Sequence, residues 1–144
     1  MSFENLIFFQ CFVTFMMTGV IWQVQIVTYP LFVDLRGFDD GGDAVKALHR
    51  FYTPKITLVV LPLMFGELVL ASIMLLKYPS LSSTLLFIPV LLCWLVTLFI
   101  SVPLHSSMEE SANKRTAILL VKSNWLRTIF WSIRSIGLLS VLIQ

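Results

Sequence analysis

Charged side chains are scarce in this 144-residue chain. They make up 12% of it, about half the share of a soluble domain, while 58% is hydrophobic and the mean hydropathy is +0.90. That scarcity excludes an ordinary water-soluble fold and points to an integral membrane protein. The net charge is only +2 and no basic run occurs, so the chain lacks the electrostatic footprint of a nucleic-acid binder. Cysteine is limited to Cys11 and Cys93, with no CxxC motif and no Cys/His cluster to suggest zinc. The two thiols fall at different depths of separate apolar runs, so packing rather than a disulfide is expected. GxxxG is absent from the apolar runs, which removes one device for tight helix pairing. The first run lacks the basic lead-in and small-x-small site of a signal peptide, so it is expected to be retained.

What the chain does have is four apolar runs, at about residues 6–32, 56–76, 85–104 and 123–143. They predict an all-α fold, a single four-transmembrane-helix antiparallel bundle over residues 1–144. The first run, at about 1.5 Å per residue, is longer than a bilayer core and must tilt or project. The short KYPSLSS link (Lys77–Ser83) makes the second and third runs antiparallel neighbours. Between the first and second runs lies a Gly/Asp-rich turn, RGFDDGGD (Arg36–Asp43), with Asp43 as an expected N-cap. Its spacing lacks the EF-hand ligands and closing Glu, so a solvated turn is expected rather than a calcium loop. An amphipathic interfacial segment, Ala44–Thr53, comes next, and Pro54 marks either a break before the second span or a bend in one long helix. Arg36, Lys46, Arg50 and Lys55, with Lys114, Arg115 and Lys122, all flank one side, against Lys77 alone on the other. This predicts cytoplasmic loops, with both termini outside, in a bacterial inner membrane.

Polar residues recur as stripes within these apolar runs. At about 100° per residue, Gln10, Thr14, Thr18, Gln25 and Thr28 fall within about 80° on the first helix. Trp94, Thr97, Ser101, His105 and Glu109 share about 120° of the third if Pro103 does not break it. Asn124, Arg127, Trp131, Arg134 and Ser135 share about 100° of the fourth. Lipid cannot hydrogen-bond such groups, so the stripes should converge inside the bundle. Ser, Thr and Gln can be simple interhelical glue, at about 1 kcal/mol or less each. Ionisable groups are not required for packing, so Glu67 and Arg134 are a candidate buried charge pair.

His49 and His105, the chain's two histidines, both fall near the cytoplasmic boundary with Arg50, Tyr52, Lys55, Glu109, Asn124 and Arg127. The rest of the interior is apolar and aromatic. That asymmetry suits a pocket for a flat apolar molecule with one or two oxygens, such as a quinone or polyphenol. In such a pocket His49, His105 and Arg127 are the candidate catalytic residues, the histidines moving a proton and the arginine steadying an oxyanion. Asn124, Glu109, Tyr52, Arg50, Gln25 and Trp131 are candidate ligand-binding residues. No cofactor is the simpler expectation. Two histidines at similar depth nonetheless permit a bis-His haem b, and His105 and Glu109 could share a metal with His49. Tyr29 and Trp125 read first as interfacial anchors.

Three segments carry a resemblance: TGVIW (Thr18–Trp22), VPLH (Val102–His105) and NWLRTIFWSIR (Asn124–Arg134). They resemble a family of small four-helix bacterial and fungal membrane proteins that includes the anthrone oxygenases. In that family a Pro-x-(Asn or His) end of the third span precedes an Asn-x-x-Arg start of the fourth. Pro103, His105, Asn124 and Arg127 stand at those positions here. The resemblance implies a compact bundle that oxidises a polyaromatic phenol without an obvious cofactor. His105 stands where the fungal enzymes carry Asn, a departure that touches substrate and reaction.

Three readings stay open on the sequence. One is an oxidoreductase or oxygenase acting on a quinone- or anthrone-like compound. Another is a non-catalytic accessory or assembly subunit of a larger membrane complex, which the small size suits. The third is a proton-coupled transporter titrating Glu67, against which a neighbouring Arg134 would hold the carboxylate ionised.

Overall fold

Among the described residues every regular element is helical, and three helix starts arise from side chains that can satisfy free backbone N–H groups. Ser2, Ser80 and Asn113 each accept from the backbone N–H three residues on, at 3.3, 3.1 and 2.8 Å. The computed structural model describes residues 2–34 and 42–143. Helix α1 (Phe3–Gln23) runs through a π-turn at Val24–Thr28 into α2 (Tyr29–Asp34). Helix α3 is Asp43–Lys77. Helix α4 (Leu81–Val96) passes through a second π-turn, Thr97–Ser101, into α5 (Val102–Glu110), and α6 is Lys114–Leu142.

Three continuous helices, Phe3–Val33, Asp43–Lys77 and Leu81–Glu110, are long and apolar enough to cross a membrane. Helix α6 is 29 residues long but falls outside that group, and its apolar C-terminal part carries Arg127 and Arg134. The four long rods pack in cyclic order, α1 against α3 and α6, and α4 against α3 and α6. Their surface is inverted relative to a soluble protein. Leu58, Leu76 and Phe99 are more than 70% exposed, whereas Gln10, Thr14, His49, Glu67 and Arg134 are wholly buried. Apolar outside and polar inside is the arrangement that lipid contact favours.

The interior is layered. At one end Val24, Tyr29, Phe32, Val45, Met108 and Leu120 pack together. A middle layer holds Met17, Ile21, Met64, Val90, Cys93 and Trp131, and the far layer holds Leu6, Ile7, Cys11, Met74, Leu86 and Leu138. Both cysteines are free and buried. Helices α4 and α6 approach closely at Gly137, where a Cβ would come within 2.9 Å of Leu86 Cδ2.

Several sequence expectations change. The Ala44–Thr53 stretch is not a separate interfacial segment. It is the first part of the 35-residue α3, which carries Pro54 and Pro62 within it. Asp43 is the first helical residue rather than the cap. The cap is Gly42, at φ +82°, where a Cβ would lie 2.5 Å from the Ala112 carbonyl oxygen, so both the left-handed backbone and the close approach demand glycine. The rest of the expected turn, including Arg36, Asp39 and Asp40, lies outside the described residues. The helix carrying the fourth apolar run begins well before that run, at Lys114.

Each π-turn precedes a proline. Pro30 and Pro103 lack the N–H that would bond the carbonyls of Ile26 and Phe99, and those carbonyls lie inside the two π-turns. The backbone instead closes five-residue bonds, Tyr29 N to Val24 O and Val102 N to Thr97 O. Each turn adds one residue to the helix and rotates the segment beyond it by about 100°.

Candidate functional site

The polar stripes converge, but on two separate clusters. The deeper one is closed. Arg134 Nε and Nη2 reach Glu67 Oε2 at 2.8 and 2.7 Å, with neither side chain exposed. Nη2 also donates to Gln10 Oε1 at 2.7 Å, and Nη1 donates to the Leu86 carbonyl. Thr14 Oγ1 donates to Glu67 Oε1, and Gln10 Nε2 lies 2.9 Å from Met74 Sδ. Both carboxylate oxygens and every guanidinium nitrogen thus have partners, as a buried ion pair requires. The candidate pair Glu67–Arg134 does meet.

The second cluster borders a cavity of about 320 Å³ between α3 and the α4–α5 helix, floored by α1, α2 and α6. Its apolar wall includes Ile21, Val24, Ile56, Val60, Met64 and Trp94, and its polar lining includes Tyr29, Tyr52, Ser101, His105 and Arg127. His105 Nδ1 shares a 2.7 Å hydrogen bond with His49 Nε2, and His105 Nε2 one of 3.3 Å with Tyr29 OH. Thr53 Oγ1 stands 3.2 Å from His49 Nε2. The chain Tyr29–His105–His49 can run in either direction. If His105 Nδ1 donates to His49, its Nε2 accepts from Tyr29; if His49 donates, His105 Nε2 donates to Tyr29. Passing from one arrangement to the other changes the tautomer of both histidines.

Arg127 is only 6% exposed, yet among the described residues it has no acidic partner. Its Nη1 reaches Asn124 Oδ1 at a long 3.5 Å and its Nη2 lies 3.7 Å from Met64 Sδ, while Nε has no partner. Asn124 is itself held by donating to Gln25 Oε1 at 2.9 Å, and Gln25 Nε2 lies 3.5 Å from the Val121 carbonyl oxygen. Trp94 Nε1, on another side of the cavity, also lacks a partner among the described residues.

Of the candidate residues, His105, Arg127, Tyr52 and Glu109 line the cavity, Glu109 from an exposed position at its end. His49 stands behind His105, and Gln25 and Asn124 stand behind Arg127. Trp131 is wholly buried in the middle core layer, and Arg50 is exposed; neither lines the cavity. Tyr29 departs most from its expectation. It is 4% exposed and joined to His105 rather than anchored at an interface. The one available signal was Pro30 beside it, whose effect on helix register the polar pattern does not display. Trp125, in contrast, is 43% exposed and packs edge-on against Trp22.

The histidine geometry does not suit a haem held between them. Direct hydrogen bonding at 2.7 Å, with ring centroids 5.0 Å apart, leaves no space for an iron and a porphyrin plane. No group of three or more His, Cys, Asp or Glu placed to hold a metal ion occurs among the described residues, and exposed Glu109 does not complete one with the histidines.

No family model, curated protein or solved structure matches this chain.

Proposed function

We propose that this is a membrane-embedded oxidoreductase or oxygenase that binds a flat, oxygen-bearing aromatic of quinone or anthrone type in the cavity beside Arg127. The observation that carries the reading is Arg127 itself. A buried cation with no acidic partner is costly unless something anionic joins it, and an ionised phenol or enol oxygen meets that need. The aromatic and aliphatic wall supplies the complementary apolar surface.

In this mechanism Arg127 steadies the oxyanion, with Asn124 and Gln25 fixing its direction. Tyr29 takes up the substrate proton as it passes its own to His105 Nε2, and His105 Nδ1 hands its proton to His49 Nε2 through their shared hydrogen bond. Deprotonation makes the ring electron-rich and prepares it for oxidation. For an anthrone-type CH₂, dioxygen is the oxidant and leaves as one carbonyl oxygen and one water. The motif resemblance to the anthrone oxygenases, through Pro103, His105, Asn124 and Arg127, supports the same reaction class. Helix α6 then serves as the fourth span, its arginines covered by α1, α3 and α4. The basic residues near the α2–α3 and α5–α6 ends face the cytoplasm of a bacterial inner membrane.

The test is aerobic turnover of an anthrone and a hydroquinone by detergent-purified protein, followed by visible absorbance. His105→Gln and Arg127→Met should each abolish product formation with little change in melting temperature. Full activity in both variants would sink the assignment.

A further inference from the structure

The cavity is open along one side. Its floor is buried (Ile21, Tyr29 and Arg127), but Leu61 on α3 and Leu98 and Val102 at the second π-turn are each half-exposed while lining the same space. Their neighbours along the helices, Leu58 and Phe99, are among the most exposed side chains of the molecule. A rim of this composition, midway along two helices apolar enough to span, opens to hydrocarbon rather than to water. The inner polar lining lies elsewhere, at Arg127, Tyr29 and His105, with exposed Ser106 and Glu109 at the α5 end and Thr57 one turn from Leu61. The space is thus graded from a polar head end to an apolar mouth. At about 320 Å³ it is near the lower end of small-molecule sites, ~300–1,000 Å³, so a long chain attached to a ring has to lie outside it.

We infer that the occupant is a single-ring quinone or hydroquinone bearing a long apolar tail. Its oxygens meet Arg127 and the Tyr29–His105 pair, and its tail passes between Leu61 and Leu98 into the bilayer, the route by which it also arrives. This rests on the reading that the cavity binds an oxygen-bearing aromatic, and it selects the tailed ring over the compact tricyclic. One thermodynamic consequence is specific. The tail lies in hydrocarbon both before and after binding, so it buries no additional apolar surface. Affinity expressed per mole fraction in the bilayer should therefore not depend on tail length.

The experiment uses the full chain in phosphatidylcholine nanodiscs and follows saturable quenching of Trp94 fluorescence, with Trp94→Phe as the blank. The probes are 2,3-dimethoxy-5-methyl-1,4-benzoquinone and its 6-decyl derivative, each at its measured mole fraction in lipid. The two should bind wild-type protein within about threefold of each other, and Arg127→Met should weaken both by about tenfold or more. Leu98→Phe/Val102→Phe, which narrows the mouth, should weaken the decyl probe by about tenfold and leave the short one within about threefold. Retained binding of the short probe shows that the variant is folded, and Leu61→Phe must reproduce the discrimination from the opposite wall. Two results overturn the tail inference but leave the aromatic site standing: a decyl probe more than about tenfold weaker on wild type, or mouth variants indifferent to the tail. Saturable binding of neither probe, or binding untouched by Arg127→Met, overturns the aromatic site and the inference together.

Discussion

Replacing Glu67 by Gln keeps the shape of the side chain and removes its charge, which isolates what the carboxylate does for Arg134. In the wild type the guanidinium donates to Glu67, Gln10 and the Leu86 carbonyl with no exposure to solvent. Glu67→Gln leaves a buried cation without its anion, a change that costs about 3–5 kcal/mol. At about 3 °C per kcal/mol for a chain of this size, the melting temperature should fall by roughly 10–15 °C. Arg134→Met leaves the opposite orphan and should fall by a comparable amount. The double variant Glu67→Gln/Arg134→Met leaves no charge in this cluster, and Met fills much of the arginine's volume. It should be more stable than either single variant, giving a large non-additive coupling between the two sites. The assay is thermal unfolding in detergent followed by intrinsic fluorescence, in all four forms at one pH. Single-variant losses below about 1 kcal/mol, or a double-variant loss equal to the sum of the singles, would refute the buried-pair argument.

Other parts of the fold carry three further outcomes. Gly42→Ala should cost about 1–3 kcal/mol through its left-handed backbone and the Ala112 carbonyl, read as a lower melting temperature; an unchanged value would contradict that geometry. Cys11 and Cys93, 8% and 0% exposed, should resist maleimide in the folded micelle and react only on denaturation, and rapid labelling of Cys93 would show a looser middle layer. Deleting Phe99, an exposed residue within the second π-turn, should restore a regular helix and rotate His105 by about 100°. Probe quenching and turnover should vanish while the helical circular dichroism stays; retained turnover would mean that the π-turn does not aim His105.

The sequence made the helices and their polar faces legible for a simple reason. In a chain that is 12% charged, each interruption of an apolar run is conspicuous. Gln10, Thr14, Gln25, Glu67, Asn124, Arg127 and Arg134 all face inward, as the inability of lipid to hydrogen-bond them requires. What periodicity does not contain is the relative rotation of separate helices. Whether Glu67 and Arg134 meet depends on that rotation, and therefore so does the division into a closed pair and an open cavity. Nor does a fixed 3.6-residue repeat register an inserted residue, which is why the periodicity leaves Tyr29 outside the inner stripe. Pro54 was ambiguous for a different reason. Neighbouring helices and local adjustment can satisfy a carbonyl freed within a span, so a proline there does not have to end the helix.

The two π-turns give the site an unusual hereditary footing. Each is equivalent to a single inserted residue, and each sits just before a proline that tolerates the widened backbone. One lost codon in either turn would swing Tyr29 or His105 out of alignment while leaving the outer, lipid-facing surface nearly as apolar as before. One gained codon would swing it back. A scaffold built this way can acquire or silence its reactive chain without redesigning its core. Chains of nearly the same length and hydropathy could thus differ completely in chemistry, and comparing them by substitution alone would miss the change that mattered.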